Sequence, residues 1–443
     1  MSNISQKERI STYGLAMVVI GACIGSGIFL TPQTVAEMVG HGYYILLAWF
    51  VGGVIVLTGA LTYSELAGLF PAAGGVYVYL KEAYGRRFAF LYGWSVLTVI
   101  TSGSIAAITY ACVSYAGDLF DVSLSNTSIV LYASALIVFN TIVHCSGIKI
   151  GEIFNNILAG LKVGGLLVFM IFIVYLLEDT TVSWTPVADA EVSPSNYWIG
   201  IGLAMIPILW SFGGFQHASF LAGDARNPKK SVPIAMISGV LIVTVLYLLI
   251  NGTFLATLGL EGLMNAEKPA FEAMEKLTNN GGKWVSLLIV LATFGSAFIF
   301  TMSAPRIYYA MAKDEVFFNW MAKRHKRFKT PVNAIVSQSV WSIILLWFWG
   351  TFKDLINYVT FLEWIFLLMA GLAVFRFRRQ LPKTAYSFRM PLYPVIPIVF
   401  GLAVIGFLVV VLSDGNKPAL YGLILLAVGL IAYEIFKKRN QKT

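Results

Sequence analysis

The sequence has little charge, few histidines and almost no cysteine. Only 12% of its 443 residues are charged, about half the roughly 25% typical of soluble domains, which argues against a water-soluble enzyme. The four histidines and three cysteines show no CxxC or HxxxH spacing. Neither a disulfide framework nor a metal centre is therefore predicted, and no cofactor is expected.

The sequence consists largely of long apolar segments, and 58% of its residues are hydrophobic. A helix that crosses a hydrocarbon core of about 30 Å needs roughly 20 apolar residues. We predict an all-α integral membrane protein with twelve transmembrane helices. The predicted spans are 13–36, 42–69, 88–117, 126–144, 150–177, 197–222, 232–256, 284–311, 332–350, 355–374, 392–412 and 419–436.

The charged residues predict how these spans are oriented. Of the 31 Lys and Arg, 24 fall in the N-terminal segment (1–12), the even-numbered loops and the tail (437–443), and 13 of the 22 acidic residues fall in the odd-numbered loops. Because cations accumulate in cytoplasmic loops, both termini are predicted to be cytoplasmic and the chain to be a multi-pass protein of the cell membrane. The net charge of +9 thus reports topology and does not indicate nucleic acid. The polar N-terminus followed by a full-length span predicts no removable signal peptide.

Two predicted spans contain residues that interrupt helices near their middle. The first has GACIGSGIFLTP at 21–32, and the sixth has IPILWSFGGFQ at 206–216. Lipid cannot satisfy the backbone groups that such breaks release, so the breaks need a reason. Their places in spans one and six fit five-plus-five inverted repeats (13–177 and 197–374) around a central site, with two further spans at 392–436.

The two breaks offer opposite ends of helix dipoles to the same space. Unpaired N–H groups around Ser26, Gly27 and Ile28 favour an anion, and the carbonyls between Trp210 and Gly213 favour a cation. A zwitterion with a carboxylate and an ammonium on one carbon satisfies both. The pattern therefore predicts recognition of an α-amino acid.

Five motifs in this order give the chain a resemblance to the amino acid–polyamine–organocation superfamily, over essentially its whole length. Within it, the sequence is most similar to L-type and alanine-serine-cysteine amino acid exchangers. The motifs are IGSGIF at 24–29 followed by Thr31 and Pro32, SELAGLFPAAGGVYVYL at 64–80, WSFGGFQ at 210–216, GDARNPKKSVP at 223–233 and SAPRIYYAMAKD at 303–314.

This resemblance implies a LeuT-like core with broken helices 1 and 6. It implies that Ser26 and Gly27 contact the substrate carboxylate, that carbonyls near Cys23 and at Trp210 and Gly213 accept from the ammonium, and that Trp210 gates the site. The predicted substrate-binding residues are Cys23, Gly25, Ser26, Gly27, Ile28, Trp210, Ser211, Gly213, Phe215 and Gln216.

Substrate class and coupling depend on a few further residues. Phe215 and Gln216 are expected to line the side-chain pocket, and an amide there favours small neutral amino acids. If Glu363 in span ten faces the pocket, the alternative is a cationic amino acid or polyamine antiporter. Lys162 lies within the fifth span, where the resemblance implies a lysine in place of a sodium ion and hence sodium-independent exchange. The alternative is that Lys162 carries a proton in symport.

The remaining features have structural interpretations. Glu65, the turn at 70–75, Asp224 with Arg226, and Arg306 are expected to hold the cytoplasmic face closed by ion pairs and turns. The outer loop at 257–283 predicts short amphipathic helices separated near Pro269, which form either a lid or an interfacial segment. No catalytic cluster or selectivity filter is present, so an enzyme or a channel is not predicted. Every cysteine lies within or at the cytoplasmic end of a span, so no obligatory disulfide-linked subunit is expected.

Overall fold

The computed structural model describes residues 9–176, 194–278, 281–348, 352–413 and 417–440, and in these residues it is almost wholly helical. Predictions that fall on 1–8, 177–193 and 441–443 lie outside the described residues. The helices are α1 (Thr12–Cys23), α2 (Gly27–Val39), α3 (Gly42–Leu69), α4 (Val76–Tyr84), α5 (Arg86–Ser95), α6 (Thr101–Leu119), α7 (Asn126–Cys145), α8 (Ile148–Leu176), α9 (Pro194–Ser211), α10 (His217–Phe220), α11 (Pro228–Asn265), α12 (Pro269–Glu275), α13 (Gly281–Ser303), α14 (Pro305–Lys313), α15 (Val332–Phe348), α16 (Phe352–Gln380), α17 (Val395–Ser413) and α18 (Lys417–Asn440).

Many of these helices are long and apolar enough to cross a bilayer. Seven helical segments of the described residues pass by length and composition, and the bent pair α1 and α2 makes eight. The most apolar window of α7 is only 33% buried, whereas that of the α5–α6 segment is 72% buried. Helices such as α7 therefore present apolar side chains to lipid at the perimeter, as expected of a multi-pass membrane protein.

The first predicted break occurs at its expected position. Helix α1 ends at Cys23, α2 begins at Gly27, and their axes differ by 46°. The sixth predicted span also stops early, because α9 ends at Ser211 and a turn leads to α10. Gly214 in that turn has φ +106°, and a Cβ there would lie 2.8 Å from Cβ of Ala22. Glycine is thus needed both for the left-handed backbone and for the close approach of the two breaks.

Helix α11 packs along α3 and α1, while α2 packs against α9. Within the third predicted span, residues Val96–Ile100 form a π-helical turn between α5 and α6. Such turns insert an extra residue and are frequent at functional sites. This one leads directly to Ile100 and Thr101, which face the central cavity described below.

Ion pairs fasten the end of the molecule that carries most cations. Asp224 accepts hydrogen bonds from Arg306 (3.0 Å) and Arg324 (2.9 Å), and both arginines lower the pKa of this carboxyl below its ordinary value although burial raises it. The expected pairing of Asp224 with Arg226 is wrong. Arg226 is exposed, and its Nε donates to the carbonyl of Arg9 instead (3.3 Å).

Glu65 is fully buried and pairs with Arg378 through both carboxylate oxygens. One of these oxygens also accepts from the backbone N–H of Met390 at 2.7 Å. The pair joins α3 to α16 and to the chain that follows it. Breaking a buried pair of this kind leaves an uncompensated charge, so both partners are needed for the packing.

The loop at 257–283, which the sequence predicts to be an outer loop, contains two short helical pieces in its described residues. Helix α11 bends at Gly259, which has φ +72°, and ends at Asn265. Helix α12 then begins at Pro269, where a missing N–H costs nothing. The side chain of Gln33 on α2 donates to the carbonyl of Met264 at 3.1 Å. This bond connects the loop to α2, the second half of the first broken span.

Candidate functional site

A cavity of about 60 Å³ lies where the two helix breaks meet. A buried water needs about 10–15 Å³ measured in this way, so the space holds a small solute of several non-hydrogen atoms. Besides Glu363, its walls include seven of the predicted binding residues. These are Cys23, Gly25, Ser26, Gly27, Trp210, Ser211 and Gly213.

The N-terminal end of α2 opens onto this cavity. Gly25 N–H donates to the Cys23 carbonyl, and the N–H groups of Phe29 and Leu30 donate to the Ser26 carbonyl. The backbone N–H groups of residues 26–28 have no acceptor among the described residues. The buried hydroxyl of Ser26 likewise has no partner there. Unpaired donors at a positive helix end form a site for an anion.

The C-terminal end of α9 supplies the opposite charge. Gly213 N–H donates to the Trp210 carbonyl at 2.9 Å, which closes a tight turn after the helix. The Gly213 carbonyl has no donor among the described residues. Since both groups lie at the negative end of the α9 dipole, this wall of the cavity favours a cation. The two breaks together suit a ligand that carries both charges.

Tyr247 of α11 joins the two breaks, and sequence reasoning missed it. Its hydroxyl lies 2.7 Å from the carbonyl oxygen of Cys23 and 2.9 Å from that of Ser211. The side chain is fully buried. A lone tyrosine in an apolar span gave no signal of this role, because its meaning depends on the two carbonyls brought beside it. The contact also shows that the Cys23 carbonyl, expected to bind substrate, already has a protein donor.

Lys162 of α8 donates hydrogen bonds to carbonyls at the C-terminal end of α1. Its ammonium donates to the carbonyls of Gly21 (2.7 Å) and Ile24 (2.8 Å) and to the hydroxyl of Ser296 (2.9 Å). The side chain is only 2% exposed. A Cβ on Gly295 would lie 2.5 Å from Lys162 Cε, so this glycine of α13 makes room for the lysine stem.

The ammonium therefore sits at the negative end of the α1 dipole, held by three oxygen acceptors from two helices. A buried cation is costly in a membrane unless such partners are present. Its placement explains why the first span can end at Cys23 without water or lipid having to satisfy the carbonyls behind the break.

The far side of the cavity carries a carboxylate. Glu363 of α16 lines the space, and its Oε1 accepts from Nε2 of Gln216 at 2.5 Å. Gln216 is 1% exposed, and its own Oε1 has no partner among the described residues. Gln216 therefore does not line the cavity itself; it contacts Glu363, which does.

Two other predicted binding residues do not face the cavity. Phe215 is fully buried, and its ring packs edge-on against Tyr63 at a centroid distance of 5.7 Å. The left-handed turn at Gly214 directs the phenyl ring into this apolar packing, so its expected place in the side-chain pocket is corrected. Ile28 is also buried outside the cavity wall, although its N–H belongs to the open helix end.

Trp210 borders the cavity, and its role as a gate stays a prediction. Its indole lines the cavity, and a Cβ added to Gly27 would lie 3.0 Å from the ring. His217 also lines the cavity. Its Nδ1 lies 2.5 Å from the Ser303 hydroxyl, and its ring stacks on Phe300 at 4.4 Å.

A small central cavity between two interrupted membrane helices defines a class of protein, the secondary transporters. The family profile described as amino acid permease matches residues 10–433. The chain therefore belongs to the amino acid permease family, within the amino acid–polyamine–organocation superfamily, and it is a transporter and not an enzyme.

Several characterised members align over nearly the full length of the chain. A serine/threonine exchanger of Bacillus subtilis (strain 168) is 30% identical over 98% of this chain and 98% of its own. The b(0,+)-type amino acid transporter 1 of Homo sapiens is 28% identical over 97% of this chain and 88% of its own. The cystine/glutamate transporter of Homo sapiens is 24% identical over 98% of this chain and 86% of its own.

The shared hydroxyl of Tyr247 leads to a first prediction. Tyr247→Phe removes the single hydroxyl proton that lies between the carbonyls of Cys23 and Ser211. The Cys23 carbonyl keeps the Gly25 N–H as a donor, so the main cost is the loss of a donor near the Ser211 carbonyl, and leaving one buried carbonyl unsatisfied costs about 1–3 kcal/mol. We expect a lower thermal unfolding midpoint in detergent and slower substrate exchange in proteoliposomes. The matched control is Tyr132→Phe, whose side chain is 55% exposed on α7. Equal midpoints for the two variants would show that the Tyr247 hydroxyl does not stabilise the breaks.

Proposed function

We propose that the protein is a sodium-independent exchanger of small neutral L-amino acids that works by alternating access. The observation that carries this proposal is the pair of opposed helix ends around one cavity. The N–H groups of residues 26–28 and the carbonyl of Gly213 have no partner in the part of the chain that the structure describes. An α-carboxylate and an α-ammonium would complete both sets of backbone groups. No ionised side chain is needed for that recognition.

The proposal includes the finer architecture. The chain would cross the cell membrane twelve times, with spans one to five and six to ten as inverted repeats and both termini in the cytoplasm. The excess of Lys and Arg in the N-terminal segment, the even-numbered loops and the tail supports this orientation. We further propose that the chain acts without a disulfide-linked subunit, since its three cysteines are free and none of them is fully exposed.

Within the cavity, the backbone roles follow from which groups still lack partners. The N–H groups of Ser26, Gly27 and Ile28 would bind the carboxylate, and the Ser26 hydroxyl would add a donor. The Gly213 carbonyl is the best acceptor for the ammonium, because the Cys23 carbonyl already receives Tyr247. Trp210 would close over the bound substrate, and the small volume favours a short side chain.

Lys162 is proposed to replace a coupling cation. Its ammonium carries one positive charge and touches three oxygen atoms, as a bound sodium ion would. Since the charge is covalently attached, it cannot be released to either side of the membrane. Transport would then draw no energy from a sodium gradient and would take the form of exchange.

The second prediction tests this mode of transport. Radiolabelled amino acid should enter proteoliposomes preloaded with unlabelled amino acid equally well in sodium and potassium buffers. Lys162→Ala should lower this exchange at least about tenfold, because two carbonyls of the broken helix lose a charged donor. Lys230→Ala, at an exposed position, serves as the matched control.

Two outcomes would contradict the proposal. Exchange that requires sodium would show that the lysine does not replace the ion. Strong uptake into empty vesicles under an imposed pH gradient, lost in Lys162→Ala, would identify proton symport instead.

A second candidate function is antiport of cationic amino acids or polyamines, and the position of Glu363 favours it. The carboxylate lines the cavity, where it could pair with a cationic side chain. In the structure, however, the amide of Gln216 already donates to it at 2.5 Å. A cationic substrate would have to displace this bond, whereas a short neutral one would not.

The third prediction separates the two candidates. In counterflow with all twenty amino acids as competitors, small neutral ones should compete and lysine or arginine should not. Gln216→Glu should remove the amide that donates to Glu363 and place a second carboxylate beside it, which should shift the preference toward cationic competitors. The conservative control is Gln338→Glu, because Gln338 is equally buried but lies outside the cavity wall. Strong competition by arginine in the wild type, abolished in Glu363→Gln, would establish the second candidate.

A further inference from the structure

A second and larger cavity lies at the cation-rich end of the molecule, away from the proposed substrate site. Its volume is about 460 Å³. Its charged and aromatic lining residues come from the segment before α1, from α4, from α14 and from the loop that follows α14. They are Arg9, Lys81, Tyr309, Lys313, Asp314 and Arg324.

The lining of this cavity has an unbalanced charge. Four of its side chains are cationic and only one is a carboxylate, so the wall carries a net charge of +3. Asp314 pairs with Lys81 at 3.1 Å, and Arg324 pairs with Asp224, which lies behind the wall, at 2.9 Å. Among the described residues, Arg9 and Lys313 have no carboxylate partner.

Arg9 is placed at the cavity by backbone pairing. Ile10 N–H donates to the Asp224 carbonyl at 2.9 Å, and Arg226 N–H donates to the Ile10 carbonyl at 3.0 Å. This short parallel contact fixes the chain just before α1 against the loop before α11. The Nε atom of Arg9 is buried and has no hydrogen-bond partner in the described part of the chain, and the same is true of Nε of Arg324.

Two of the four cations contact one aromatic ring, that of Tyr309. Lys313 Nζ is 5.3 Å from the ring centre of Tyr309, and the guanidinium of Arg324 is 4.8 Å from the same ring. Holding two cations at one ring leaves a repulsion that a bound anion would remove. Buried guanidinium donors without acceptors also carry a desolvation cost, which an oxyanion would offset with charge-assisted hydrogen bonds.

We propose that this cavity binds a phosphate-bearing anion, either free phosphate or the headgroup of an anionic lipid. Guanidinium and ammonium groups from several chain segments around one concave space are suited to phosphate oxygens. Basic pockets between membrane helices on the cytoplasmic side accept lipid headgroups by the same chemistry. A bound phosphate would join Arg9, Lys81, Lys313 and Arg324 and so fasten the N-terminal segment to α4 and α14.

The inference goes beyond the proposed function, and its consequence is regulatory. The cavity adjoins the buried Asp224–Arg306 pair through Arg324, which contacts Asp224 directly. An anion that holds these segments together would stabilise the closed form of this face of the transporter. Occupancy of the cavity would therefore slow any opening on that side without touching the substrate site.

Binding can be tested without transport, on the purified full chain in detergent. The probes are inorganic phosphate and a short-chain phosphatidylglycerol, each titrated at constant ionic strength against potassium chloride and against short-chain phosphatidylcholine. We expect a saturable rise in the thermal unfolding midpoint with at least one of the two phosphate probes. The Arg9→Gln, Lys313→Gln double variant should lose this rise. The single variant Lys313→Gln should show a clearly smaller rise than the wild type.

The matched control is Lys326→Gln, which removes the same charge from an exposed position on the same loop as Arg324 and should keep the full rise. If inorganic phosphate raises the unfolding midpoint, a free phosphate anion is sufficient as the ligand. If only phosphatidylglycerol raises it, the ligand is the headgroup of an anionic lipid. The proposal is overturned if neither phosphate probe gives a saturable rise, or if the double variant responds like the wild type. Because no substrate is present, this result is independent of whether the protein exchanges amino acids.

Discussion

The structure depends on one constraint, which is that lipid offers no hydrogen bonds to a broken helix. Each interruption of a span releases donors and acceptors that cost several kcal/mol unless something pairs with them. In this chain the protein itself satisfies part of that demand. The ammonium of Lys162 donates hydrogen bonds to the carbonyls of Gly21 and Ile24. The hydroxyl of Tyr247 lies within hydrogen-bond distance of the carbonyls of Cys23 and Ser211.

The proposed function depends on backbone groups that have no partner among the described residues. They are the N–H groups at the start of α2 and the carbonyl of Gly213, and Ser26, Gly27 and Gly213 border the same cavity. The site is therefore built from backbone dipoles, with side chains from α8, α11 and α13 holding the backbone in place. We propose that such a site recognises the part common to all α-amino acids. We propose that discrimination among them depends on Glu363, which lines the cavity and accepts a hydrogen bond from the amide of Gln216.

Features that follow from the backbone were predictable from the sequence. Glycines at 21–27 and 213–214 indicated both breaks. Lys162 lies twelve residues into a predicted span, where a buried ammonium needs oxygen acceptors. Features that depend on packing were not predictable. The direction of Phe215 follows from the turn at Gly214. The partners of Asp224 are Arg306 and Arg324, which lie 82 and 100 residues away in the chain. Sequence proximity instead suggested Arg226.

The central claim is that the open backbone groups bind both charges of one zwitterion. Isothermal titration should use the amino acid that stabilises the purified protein most, together with its methyl ester and its decarboxylated amine. Each analogue keeps the side chain but lacks the anionic charge. The account predicts that both bind at least about tenfold more weakly than the parent, because charged hydrogen bonds to the start of α2 are lost. Equal affinity of the ester or the amine would contradict it.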